Sequence, residues 1–191
     1  MFMRLKHLLL AVGMLFAAGS FAQNTTSQPF TESRTPEGVK VLKGKPTLQT
    51  FMSDSAFRWF YTGVNRYQPN TAAAVDFLKA KREKFNITVI IGTWDVTSQE
   101  AFPKLTKVLL QASYPAETME IFCVDQHNEA GVSVPFKFKK IPTVVVSRNG
   151  KEVGRIVGDP TASNYETELS KIVFDATRND KPDPNSTSSM P

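Results

Sequence analysis

The side chains able to do chemistry are few, and they follow two apolar runs. Ile87-Thr-Val-Ile-Ile-Gly-Thr-Trp94 leads into Asp95-Val96-Thr97-Ser98, and Met119-Glu-Ile-Phe-Cys-Val-Asp125 leads to Asp125 and then His127. Residues that follow the carboxyl ends of neighbouring parallel strands share the edge where ligands gather. Asp95, Asp125 and His127 could bind a divalent metal together, but their spacing carries no ligand signature, so neither a metal nor another cofactor is assigned. Thr97 and Ser98 have no nearby histidine in sequence to activate a hydroxyl, since His7, the other histidine, lies in the first ten residues. Cys123 is the single cysteine, which excludes an internal disulfide. Its apolar neighbours predict a buried, inert thiol. A Cys123–His127 catalytic pair is disfavoured, because four steps of extended chain separate the two by roughly 13 Å.

These residues need a sheet to hold them. Ile87 to Thr93 is apolar almost without alternation, as expected of a strand covered on both faces. A helix follows, with Thr97 and Glu100 spaced as a capping box and Phe102, Leu105, Leu109 and Ala112 on its buried stripe. Pro103 sits inside that helix and removes one backbone hydrogen bond. Met119 to Val124 is the next strand, and His127 to Phe138 is a connection expected to hold a short helix. Thr143 to Ser147 and Glu152 to Val157 form a predicted hairpin, since Asn149-Gly150 supplies the positive φ angles of a tight turn. Thr161 to Ala176 reads as a closing helix with Tyr165, Leu169, Ile172, Val173 and Ala176 on one face. Upstream, a helix from Thr71 to Phe85 buries Ala74, Phe77, Leu78 and Phe85. Before it, Ser53 is positioned to cap a helix carrying Phe57, Phe60, Tyr61 and Val64, weakened by Gly63.

The termini read differently. Met1 to Ala22 has the layout of a secretory signal peptide: basic Arg4 and Lys6, an apolar run from Leu8 to Ala18, and Ser20-Phe21-Ala22 before a cleavage point after Ala22. The run is shorter than the ~20 residues a membrane span needs. The mature chain is therefore expected to be exported, to periplasm or extracellular space, with no stable membrane insertion. Losing Arg4 and Lys6 lowers the net charge from +5 to +3. The basic clusters, Lys79-Ala-Lys-Arg-Glu-Lys84 and Lys137-Phe-Lys-Lys140, are short and read as solvated faces, and nothing points to nucleic acid. Gln23 to Gly38 and Arg178 to Pro191 are polar and Ser- or Pro-rich, which predicts disorder; Val39 to Leu42 could form a short strand. The expected organisation is a signal peptide (1–22), a disordered or extended lead-in (23–50), a helical extension (51–70), one domain (71–177) and a tail (178–191).

Gly92-Thr93-Trp94, Ser98, Pro103, Val124-Asp125, Ile141-Pro142-Thr143 and Asn149-Gly150-Lys151, in this order and at these separations, resemble a thioredoxin-like domain over roughly residues 71–177. The chain looks most like secreted bacterial thioredoxin-like proteins that read Gly-Thr-Trp-Cys, an intervening pair, then Ser or Cys. The resemblance implies an α/β thioredoxin-like fold, a central mixed sheet with helices on both faces, and a cis-proline at Pro142 beside the Trp94 loop. In redox-active relatives a thiolate attacks a disulfide from the first position of the motif. Asp95 occupies that position here and Ser98 the second. A carboxylate suits the positive end of a helix but cannot attack sulfur. Asp95 to Ser98 thus have two readings, a degenerate active-site loop or residues that merely start a helix. The edge formed by Trp94, Ile141 and Pro142 could still pair with an extended peptide, because backbone pairing needs no cysteine. The expected function is a redox-inactive, non-catalytic module that binds a protein or peptide. The alternatives are an oxidoreductase-related protein acting through an exposed Cys123, and a metal- or small-ligand-binding module.

Overall fold

A computed structural model describes residues 29–160 and 163–180; the signal-peptide reading falls outside them. The sheet has six strands: β1 (Phe30–Arg34), β2 (Lys40–Gly44), β3 (Asn86–Ile91), β4 (Glu120–Cys123), β5 (Thr143–Arg148) and β6 (Lys151–Val157). Their spatial order is β1-β2-β4-β3-β5-β6. Only β3 and β4 run parallel, with Val89 opposite Ile121 and Ile91 opposite Cys123; every other pair is antiparallel. Between β2 and β3 lie α1 (Leu48–Ser53), a 3₁₀ turn (Ser55–Phe57), α2 (Arg58–Arg66) and α3 (Ala72–Lys81). Helix α4 (Val96–Gln111) connects β3 to β4, and α5 (Tyr165–Thr177) closes the chain.

Register divides the sheet into two unlike faces. Ile87, Val89 and Ile91 point the same way as Ile121, Cys123, Val144, Val146 and Ile156, as alternation along paired strands requires. These residues share one core with buried side chains from all five helices, among them Phe51, Phe60, Leu78, Phe102, Leu105 and Leu169. The opposite face carries a smaller cluster of Ile90, Phe122, Val124 and Ala130, with Val134, Phe138 and Ile141 against it. Irregular chain between β4 and β5 covers it. The expectation of helices on both faces is corrected here, and so is the short helix expected in His127 to Phe138. Thr88, Glu120 and Thr143 bring polar groups to this second face, so it needs no second layer of helices.

Other differences have local causes. Phe30 to Arg34, expected to be disordered, forms an edge strand against β2 from Phe30↔Gly44 to Arg34↔Lys40. Four of its five residues are exposed, which left no apolar alternation to read. Ser53 ends α1 and donates to the Gln49 carbonyl; Asp54 caps the following turn by accepting from the Ala56 N–H at 2.8 Å. Tyr61, placed on the apolar stripe, is exposed. Gly63 is where α2 and α4 approach closely: a Cβ there would lie 2.6 Å from the Pro103 Cβ. Arg148 reaches past α5 to pair with Asp180, so the start of the expected tail is tied down. The β5–β6 turn has Asn149 at φ 52° and Gly150 at φ 74°, as expected of that dipeptide.

Candidate functional site

Three backbone segments meet at one end of the sheet. They are Gly92–Ser98, leaving β3 for α4, the exit of β4 at Val124–Asp125, and the Ile141–Pro142 step into β5. The Ile141–Pro142 peptide is cis. Pro142 is buried and Ile141 half-buried. A Cβ on Gly92 would fall 2.8 Å from Ile141 Cδ1 and 2.9 Å from Trp94 Nε1, so the bare Gly92 backbone lets these two side chains close over it. Trp94 Nε1 donates to the Val124 carbonyl at 3.0 Å, which holds the indole across the β4 exit. The structure thereby brings Trp94, Ile141 and Pro142 into one neighbourhood.

Asp95 is the N-cap of α4. Its Oδ2 accepts from the Ser98 N–H and from Ser98 Oγ, both at 2.7 Å. The capping-box expectation for Thr97 and Glu100 is corrected: Thr97 is the second residue of the helix and the cap lies two positions earlier. Ser98 is fully buried, and its Oγ also accepts the Gly92 N–H at 3.2 Å. Asp95 Oδ2 and the Ser98 hydroxyl are therefore engaged by the helix start they build. Thr93 is fully buried. Its hydroxyl accepts the Leu42 N–H at 3.0 Å and donates to the Lys40 carbonyl at 2.9 Å. Since β2 and β4 pair only at Gly44↔Cys123, this hydroxyl takes the place of a ladder partner for β2. Gln99 Nε2 donates to the Thr93 carbonyl at 2.8 Å and completes the loop. Val96, between the two motif positions, is 68% exposed.

The residues considered for metal or thiol chemistry are otherwise engaged. Asp125 Oδ1 accepts the N–H groups of His127 and Glu129, and Oδ2 pairs with Lys43 at 2.7 Å. Partial burial raises the Asp125 pKa, but Lys43 and the two N–H groups outweigh it and hold the carboxyl below its ordinary value. His127 is exposed. Among the described residues no group of three His, Cys, Asp or Glu side chains is arranged to hold a metal ion. Cys123 is fully buried in β4, and burial pushes its thiol far above the ordinary range. That environment suppresses the thiolate disulfide exchange requires.

Two features escaped the sequence reading. Glu166 is a fully buried carboxylate on α5; it accepts from Tyr67 Oη and from the Asn70 N–H, each at 2.9 Å, and so fastens the chain after α2 to the closing helix. A cleft of about 760 Å³ opens between α2 and the first turns of α4, lined among others by Arg58, Trp59, Arg66, Val96 and Lys104. Its only sequence signal is the recurrence of Arg58, Thr62 and Arg66 at four-residue steps. Among the described residues no helix is long and apolar enough to cross a membrane. Comparison with protein-family models and with curated proteins returns no match for this chain.

Proposed function

We propose that this chain is an exported thioredoxin-like protein that has lost its redox dithiol and binds an extended segment of a protein partner along the Ile141–Pro142 edge beside Trp94. The observation that carries the reading is the state of Ile141. Its backbone N–H and C=O make no hydrogen bond to any described residue, although the adjoining strand β5 is paired on both sides. An extended peptide laid there would find one unpaired backbone donor and one acceptor, and main-chain pairing supplies affinity without a nucleophile. The half-buried Ile141 side chain and the Trp94 indole would flank its side chains.

Support for the fold assignment comes from sheet order. Strands β2-β4-β3-β5-β6, with β3 and β4 parallel, the hairpin antiparallel and a cis-proline at the entry to β5, are compatible with the mixed sheet and cis-proline that the resemblance implies. β1 and the irregular cover of the second face are departures from it. Support for the loss of redox function comes from Asp95 and Ser98, which hold the two motif positions and spend their polar atoms on one another.

Two assays test this together. In insulin reduction with dithiothreitol as electron source, the chain should add nothing to the uncatalysed rate; turnover like that of an active thioredoxin would refute the redox half. In selection from a random peptide library, recovered sequences should bind the intact protein and lose affinity for Trp94→Ala. Failure to recover any peptide whose binding depends on Trp94 would refute the docking half.

A further inference from the structure

The cleft between α2 and α4 carries more hydrogen-bond donors than the protein uses. Arg58 and Arg66 stand at opposite ends of α2 and line the cleft. Both are exposed, and neither makes an ion pair or a side-chain hydrogen bond among the described residues. Lys104, on the α4 wall, is paired with Asp159. Glu100 is the one carboxylate in the lining. Trp59 packs edge-on against Phe51, Phe57 and Phe60, yet its indole N–H has no partner among the described residues, whereas that of Trp94 is bonded.

Helix energetics account for one of the two arginines and not the other. Arg66 lies in the last turn of α2, where a cation complements the helix dipole. Arg58 is the first residue of the helix, where a cation opposes the dipole and no acidic residue in the first turn offsets it. An anion brought from outside would offset that cost. Eight residues of helix set the two backbone anchors about 12 Å apart. That matches carboxylates roughly four residues apart on an extended chain, each taken by one guanidinium fork.

We propose that the α2–α4 cleft binds an acidic polypeptide segment, with two carboxylates on Arg58 and Arg66 and an acceptor on the Trp59 indole N–H. This site is separate from the Ile141 edge and does not rest on it. Fluorescence anisotropy with the full chain tests it, using a labelled nine-residue peptide with glutamates at positions 3 and 7 and no other charge, against the same peptide with glutamines. The glutamate peptide should bind at low salt and the glutamine peptide at least about tenfold more weakly. Arg58→Gln/Arg66→Gln, two exposed changes whose fold is checked by circular dichroism, should weaken binding of the glutamate peptide by a similar factor; Trp94→Ala should leave it unchanged. Equal binding of both peptides would overturn the proposal, as would full affinity in the double variant or loss of affinity in Trp94→Ala. Tripolyphosphate binding that depends on both arginines, with no peptide binding, would overturn it too.

Discussion

The loop from Thr93 to Ser98 and the ledge at Ile141 lie side by side and differ in one respect. In the loop, Thr93, Trp94, Asp95 and Ser98 all direct their polar atoms to protein partners, and no buried side-chain polar atom among the described residues lacks a partner. On the ledge, a backbone donor and acceptor are left over. The segment from Thr93 to Ser98 spends side-chain polar atoms on its own architecture, and the segment next to it keeps unused bonding capacity. Polar residues at a recognisable place in a fold therefore do not by themselves mark a working site; what counts is whether their atoms are already spent.

Substitutions that open the closed side should break this comparison, in graded order. Thr93→Val keeps the shape of the side chain but leaves the Leu42 N–H and the Lys40 carbonyl without their partner. At about 1–3 kcal/mol for each buried group left unpaired, it should be the most damaging single change in the loop, read as a fall in urea midpoint with unchanged m-value. Asp95→Ala removes the α4 cap and the acceptor for Ser98 Oγ, for an expected loss of about 1–2 kcal/mol in the same assay. A loss under a few tenths of a kcal/mol would mean that the carboxylate is not the structural element described.

The smallest effect concerns pH. The Lys40 ammonium, 2.6 Å from Asp54, holds that carboxyl below its ordinary value of 3.8, helped by the Ala56 N–H. A folded-state pKa below the unfolded one gives stability that is complete above 3.8 and disappears as pH falls through the folded value. Lys40 is shifted the opposite way, first by Asp54 and then by Glu32, so its share is complete below 10.5 and disappears as pH rises through its folded value. Asp54→Asn should flatten the acid limb of a stability–pH curve and leave the Asp95 contribution near neutral pH untouched. A curve identical to that of the parent protein would remove Asp54 from the account.

The sequence made the interior more legible than the surface, for physical reasons. Ile87 to Ile91, the Asn149-Gly150 turn and the Phe102, Leu105, Leu109, Ala112 stripe each follow from a period or a backbone requirement that few residues satisfy. β1 was illegible because an exposed edge strand needs no apolar alternation. The α4 cap was misplaced because Asp95 and Thr97 are both good N-cap residues, and only the true start of the helix decides between them. The buried Glu166 and the close contact of Gly63 with Pro103 join segments far apart in sequence, where no local pattern reaches. Trp94, Asp95, Ser98, Ile141 and Pro142 were singled out from their types and order, as was Thr93, but the bonds of the Thr93 hydroxyl to β2 span 51 and 53 residues and leave no local signal.

Amide hydrogen exchange at Ile141, measured with and without a library-selected peptide, addresses the docking account most directly. The Ile141 N–H should exchange rapidly in the unbound protein and become protected in the complex, while the already bonded Ser98 N–H changes little. A bound peptide that leaves the Ile141 amide as exchangeable as before would contradict the account.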